Sequence, residues 1–361
     1  MASSTGNQRV RVMGWIVAIA VLLSGCGPPQ AEDMLYDYSE RVHNALELDA
    51  PAPHQHNLPT YPRRRDLRLE QSDFRIGLLD LVSLDRCGLE KLVAERNSAL
   101  GKVMPASQQL LYEHRLLGLA RACADTLRAR ADPDVDLLKT LDEIVETKEN
   151  DLPHFYWNAI FAGPEMAEHL SLAVSLLPLE ATVSVRDQLE ALYYLRDLRP
   201  GLGHVSTAFT SEKLEDHFYA LDNGHYGGRL LLSMDELAHH LQRIADVLDE
   251  RQQQRPLCPQ GIPTPRAEVL NTIFMKFYLE TVQPYMARVY QEGSAWTDAM
   301  DELIVRQENV PTAFRTYRDR ALSSDHPDGA WQHFSGAMDN HTRAWQTLFS
   351  SCGMQPTVAA R

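Results

Sequence analysis

The sequence predicts an all-α fold: a multi-helix bundle, open to division into two lobes and stapled by two disulfides. Three observations predict it. Apolar residues recur at steps of three and four along most of the chain, no run alternates with period two for more than a few residues, and two proline-rich segments punctuate the helical rhythm. No fixed-period repeat is present, which argues against a regular solenoid.

The first element is the apolar run Val12–Leu23, preceded by Arg9 and Arg11 and closed by Ser24 and Gly25. Crossing a bilayer as a helix takes roughly 20 residues, so the run reads as a secretory signal rather than a span. Leu23-Ser24-Gly25-Cys26 resembles the lipobox of bacterial lipoproteins. That resemblance implies removal of residues 1–25, a diacylglyceryl group on the Cys26 thiol and an acylated new amino terminus. Two or three acyl chains hold a protein at a membrane where one does so only marginally. Gly27 follows the cysteine where inner-membrane lipoproteins tend to carry aspartate, which implies the periplasmic face of the outer membrane of a Gram-negative cell.

Residues 26–30 then form a tether whose reach is under about 20 Å, and a helical pattern covers 31–47. The stretch LDAPAPHQHNLPTYPRRRDLRL carries Pro51, Pro53, Pro59 and Pro62 and must be extended, linking this first helix to the body. Helical patterns follow over 74–83 and 88–99. Another starts near Ser107, where Leu116, Ala120, Cys123 and Leu127 share a face. Next come 134–148, 153–173, 185–199 and 211–221. The clearest helix ends at Gln254, with Leu230, Met234, Leu237, Leu241, Ile244 and Leu248 in one stripe.

RPLCPQGIPTP is the predicted boundary between an N-terminal lobe, 31–255, and a C-terminal lobe, 256–361. Thr264 is placed to cap and Pro265 to open a helix carrying Leu270, Ile273, Phe274, Phe277 and Thr281, until Pro284 kinks or ends it. A pattern over 311–321 precedes the last helix, striped by Trp331, Phe334, Met338, His341, Trp345 and Leu348.

Besides Cys26 there are four cysteines, an even number in a compartment that permits disulfides. Of three pairings, Cys87 with Cys123 and Cys258 with Cys352 is preferred. The first two bracket neighbouring helices, and the last two sit beside the proline-rich loop and the end of the final helix. Loop closure would make these bridges worth about 4 and about 4.7 kcal/mol. The formal charge is −14, and loss of Arg9 and Arg11 makes it more negative, which disfavours nucleic acid as a partner.

Chemistry is hard to find. H-E-x-x-H, CxxC, P-loop, GxGxxG and G-x-S-x-G patterns are absent, so no cofactor or metal is expected. Glu236 and His239 form an E-x-x-H half-motif of the kind used by carboxylate di-iron bundles, but the helical wheel turns both toward solvent. His341 occupies a seam position, as a core histidine bonded to a neighbouring helix does. His217, His225, Gly227 and Gly228 read as a helix-ending loop, and Phe155, Tyr156, Trp157 and Phe161 as core. Arg63, Arg64 and Arg65 are expected to pair with the protein's own carboxylates ahead of anionic headgroups.

RCGLEKLVAERNSALGKVMPASQQLLYEHRLL, from Arg86 to Leu117, resembles a family of uncharacterised proteobacterial lipoproteins classed as a domain of unknown function. Cys258 and Cys352 fit the same plan, and the family implies no activity to carry over. Within the block, Glu95, Arg96, Asn97 and Ser98 form either a polar corner, held by a Glu95 pairing with Arg96 or Lys102, or a recognition patch. Gly101 is placed to end the helix and Ser107 to cap the next.

The expected function is therefore that of a non-enzymatic, outer-membrane-anchored periplasmic protein that contacts another envelope component. The alternative is a ligand-binding module with a cleft lined by Tyr156, Trp157 and Trp345. An enzyme acting on cell-wall or lipid material would need His341, or another histidine, within hydrogen-bond reach of a carboxylate.

Overall fold

A computed structural model describes residues 30–73, 82–180, 184–204 and 209–354, and every regular element among them is helical. The signal, Cys26 and most of the 74–83 pattern lie outside these residues. Helix α1 (Ala31–Ala45) begins with Glu32 and Asp33 against its N-terminal dipole and buries Leu35, Tyr38 and Val42. That face docks chiefly on the helix Tyr226–Gln254 and on the two helical segments Pro265–Ile273 and Phe274–Val282, so the first helix is part of the body. The extended strap that follows is pinned at several points. Tyr61 donates to the Phe161 carbonyl at 2.6 Å, and the Asn158 amide bonds both backbone groups of Leu69 at 2.8 Å. The strap includes a one-turn helix, Arg64–Leu67, in a stretch whose prolines had predicted extended chain throughout.

A small module comes next. The 3₁₀ turn Leu84–Cys87, α2 (Leu89–Asn97), α3 (Ala106–Arg128) and the first half of α4 (Val135–Ile160) share an apolar core of their own. It includes Leu84, Leu92, Leu116, Leu141 and Ile144. Cys87 and Cys123 are bridged here, with Cα atoms 5.6 Å apart.

Two predicted helices, 134–148 and 153–173, are one helix and a fragment. α4 runs through Pro153 to Ile160, and a single turn and a half, α5 (Pro164–His169), follows. An interior proline costs about 3 kcal/mol. Burial of Leu152, Tyr156, Trp157 and Ile160, each worth about 1.5–3 kcal/mol, outweighs it. Pro153 sits where α4 passes from the small core to the main one, since Ile144 belongs to the first and Leu152 to the second.

The main core gathers α6 (Val185–Leu198), α7 (Ser211–Asp222), α8 (Tyr226–Gln254), α9 (Pro265–Ile273), α10 (Gln283–Val305), α11 (Thr312–Ala321) and α12 (Ala330–Ser351). α8 and α12 make the most extensive pairing, and every residue of the predicted α8 stripe is buried. At the start of α8 only glycine fits: a Cβ on Gly228 would sit 1.9 Å from the Ser171 carbonyl oxygen. This core draws residues from both sides of the RPLCPQGIPTP segment. Cys258 and Cys352 are bridged with Cα atoms 5.0 Å apart, tying the loop after α8 to the end of α12. Thr264 caps α9 as predicted, accepting from the Ala267 amide.

Pro284 neither ends nor breaks the next segment. Between α9 and α10 lies a π-helix, Phe274–Val282, and the chain continues without interruption into α10. Each π turn holds more residues than an α turn, so the buried face is rephased. Tyr278 and Val282 are buried in place of the expected Phe277 and Thr281. Pro284, at the start of α10, falls in this change of register, where a missing amide is tolerated. No helix among the described residues is long and apolar enough to cross a membrane.

Replacing both Cys87 and Cys123 by serine should destabilise the small module by about 4 kcal/mol while leaving the α8–α12 pair intact. Hydrogen exchange should then accelerate over residues 84–145 and stay slow in α8 and α12. Equal acceleration in both regions would contradict two separable cores.

Candidate functional site

The π-helix and α12 flank a groove of about 830 Å³ whose walls include Phe274, Tyr278, His341, Trp345 and Phe349. Extended π-helix is rare and concentrates at functional sites. At the base of the groove, Tyr38 of α1 meets α12. Trp345 donates its indole N–H to the Tyr38 hydroxyl and to His341 Nε2, each at 3.0 Å, and the Tyr38 hydroxyl lies 2.9 Å from the same Nε2. An indole only donates, so Nε2 must accept and the imidazole proton must sit on Nδ1. Nδ1 is buried and has no hydrogen-bond partner. Burial also lowers the His341 pKa to about 3, so the ring is neutral at physiological pH.

His169 shows what a purely structural histidine looks like in this fold. It too is buried beside a tryptophan, and burial lowers its pKa to about 4. Trp296 donates to its Nε2 at 3.0 Å and its Nδ1 donates to the Leu221 carbonyl at 3.2 Å, so both nitrogens are satisfied. His341 differs by one unused N–H, a polar atom that ordinarily costs about 1–3 kcal/mol to bury alone.

A second constellation forms where the strap crosses α8. His54 Nε2 and His56 Nδ1 both lie 2.7 Å from Asp235 Oδ2. His56 Nε2 is 3.5 Å from Glu236 Oε2, and Glu236 Oε1 is 3.1 Å from His240 Nε2. The His54 ring stacks on His239 at 4.2 Å. Burial works against ionisation of Asp235, but the two imidazole bonds outweigh it and bring its carboxyl to about 2. The expectation that Glu236 and His239 face solvent is thus corrected. Glu236 is buried and His239 is half-buried, because the strap covers the side of α8 that an isolated helical wheel leaves open.

The Glu95–Ser98 stretch forms a polar corner, but not one held by Glu95. Ser98 caps the one-turn helix Ala99–Lys102 by accepting from the Gly101 amide, and Arg96 donates to the Gly101 carbonyl at 2.6 Å. Among the described residues Glu95 forms no salt bridge. Gly101 lies inside that turn rather than ending a helix, and Ser107 donates to Glu215 at 2.8 Å rather than capping α3. Arg96 and Asn97 do line a polar cleft of about 740 Å³, together with Lys102 and the Glu113–Lys148 pair, whose atoms are 3.0 Å apart. Glu95 and Ser98 are not among its walls.

The remaining candidates resolve simply. Trp157 and Phe161 are core, with Trp157 donating to the Leu67 carbonyl at 2.7 Å, and Tyr156 donates to the Leu195 carbonyl. Tyr156 lines a separate cleft from the groove that Trp345 lines. Arg63 and Arg65 both pair with Asp66. His217 stacks on Tyr194 and His225 bonds the Glu168 carbonyl, so neither joins a site. The sequence signal for this constellation is the pair of histidines one residue apart in the strap, whose rings meet at one carboxylate oxygen.

His341 gives the stability a signature in acid. Its pKa falls from about 6.5 unfolded to about 3 folded, so between those values the unfolded chain binds a proton that the native one does not. Stability is therefore full above pH 6.5 and lost as pH falls, by about 1.36 kcal/mol per unit for one proton. In urea unfolding, His341→Gln should lose about 2–3 kcal/mol less than the wild type between pH 7.5 and pH 4.5. Parallel curves would show that the ring titrates in the native state.

A family model described as a protein of unknown function (DUF3080) matches residues 35–356. No curated protein and no solved structure matches the chain significantly. The matched residues run from within α1 to just past Cys352, and so include the Arg86–Leu117 block whose resemblance pointed to an uncharacterised family. With both cores, both bridges and the aromatic groove inside that span, the chain belongs to the DUF3080 family of proteins of unknown function.

Proposed function

We propose that the mature protein is a lipid-anchored, non-enzymatic component of the periplasmic face of the outer membrane, and that it recognises an amphiphilic envelope molecule in the groove between the π-helix and α12. The observation that carries this reading is the aromatic groove itself, walled by Phe274, Tyr278, Trp345 and Phe349, with His341 among its lining residues. Rings beside the exposed Thr342, Arg343 and Gln346 suit a ligand with an apolar body and a polar end. His341 is partnered by a phenol and an indole, whereas a general base needs a partner that supports proton transfer near neutral pH.

The position of the groove supports the same reading. The tether reaches under about 20 Å, and Tyr38 lies about 10 Å further along α1. The groove is thereby held within about 30 Å of the anchored residue. Met275 and Leu279 stand exposed one turn apart on the π-helix beside it.

The two parts of the reading have separate tests. Labelled palmitate fed to cells should enter the wild-type protein and not Cys26→Ser; equal labelling of both would refute the anchor. Dansyl-labelled undecanoate should bind the purified protein saturably, and Gln346→Trp, an exposed position on the groove wall, should weaken it at least tenfold. Unchanged binding in that variant would refute the groove as the site.

A further inference from the structure

We propose that His54, His56 and Asp235 form a binding site for a divalent late first-row transition ion, Zn(II) foremost, which clamps the proline-rich strap onto α8. The inference is independent of the groove. The three residues each present one ligand atom, and these atoms all lie within 4.8 Å of one another. His54 and His56 stand one residue apart in the strap, and both rings converge on a single oxygen, Asp235 Oδ2, from 2.7 Å each. Two imidazoles and a carboxylate are a donor set that late transition ions favour over calcium or magnesium, which take oxygen ligands.

Spacing and surroundings both fit. Zinc sits 2.0–2.2 Å from imidazole nitrogen and carboxylate oxygen, which sets tetrahedral ligand atoms about 3.4 Å apart; each nitrogen–oxygen pair opens modestly from 2.7 Å and the two nitrogens draw together from within 4.8 Å. The proton now on the ligating nitrogen of each imidazole moves to its other ring nitrogen or to solvent. For His56 that other nitrogen, Nε2, already faces Glu236 Oε2 at 3.5 Å, giving the carboxylate behind a ligating histidine that orients the ring and raises its basicity. Glu236 is held in turn by His240, and His239 stacks on His54. His54 and Asp235 are half-buried and His56 is exposed, so an ion has a path in and keeps at least one coordination position for solvent.

The test uses the full chain in detergent, stripped with EDTA and titrated with zinc chloride at pH 7.5 by calorimetry. One zinc per chain should bind with micromolar or tighter affinity, and backbone exchange over residues 50–60 should slow on binding. Cobalt(II) should give visible absorption of a site with nitrogen ligands. His54→Gln with His56→Gln should abolish both signals with unchanged helicity by circular dichroism, and Glu236→Gln should keep the stoichiometry while weakening binding about 10–100-fold. His333→Gln, an exposed histidine elsewhere, should bind as the wild type does. Absence of heat and of cobalt absorption at millimolar ion, or unchanged binding in the His54→Gln, His56→Gln variant, would overturn the site.

Discussion

Three side chains, Tyr38, His341 and Trp345, close a hydrogen-bonded triangle that joins the first helix of the body to the last across more than three hundred residues of sequence. Each of its bonds is worth about 0.5–1.5 kcal/mol net, a small share of the stability. Its importance lies in what it fixes. It holds α1 down beside the π-helix, sets the tautomer of His341 and shapes the base of the aromatic groove. Tyr38 also stacks on Tyr278 of the π-helix at 5.7 Å, so the rephasing of that helix and the docking of α1 are parts of one arrangement.

Around that junction the fold divides its work between two cores. α4 belongs to both, with Pro153 at the crossing, and the Cys87–Cys123 bridge closes the smaller core while Cys258–Cys352 closes the larger. The strap lies against the larger core, burying Leu67 in it and packing Leu58, Tyr61 and Leu69 on it. Polar contacts fasten it further: Asn158 on Leu69, Asp151 on Ser72, Tyr61 on Phe161 and the two histidines on Asp235.

Much of the fold was legible in the sequence, for a physical reason. The stripes of α8 and α12 are amphipathic over many turns, and long-period burial leaves a strong trace in composition. The cysteine pairing was readable because each pair flanked elements that had to be neighbours. What escaped was decided by tertiary context. Pro153 and Pro284 both read as breaks, yet one is overridden by burial and the other absorbed by a π register. Glu236 and His239 read as solvated because the residues that cover them are about 180 positions earlier in the chain. The His341 seam position was readable, but the missing partner of Nδ1 was not, since an absent contact has no sequence signature. Likewise the Arg96–Ser98 corner announced a turn, while its bonds to Gly101 depended on a one-turn helix that four residues cannot encode alone.

The central claim is that His341 is held as a neutral ring with its proton on a buried, unpaired Nδ1. Nitrogen-15 NMR of the imidazole in the wild-type protein measures this directly. The account predicts a protonated Nδ1 and a bare, hydrogen-bond-accepting Nε2, unchanged from pH 8 down to about 4.5. A proton found on Nε2, or a ring that titrates near 6.5, would contradict it.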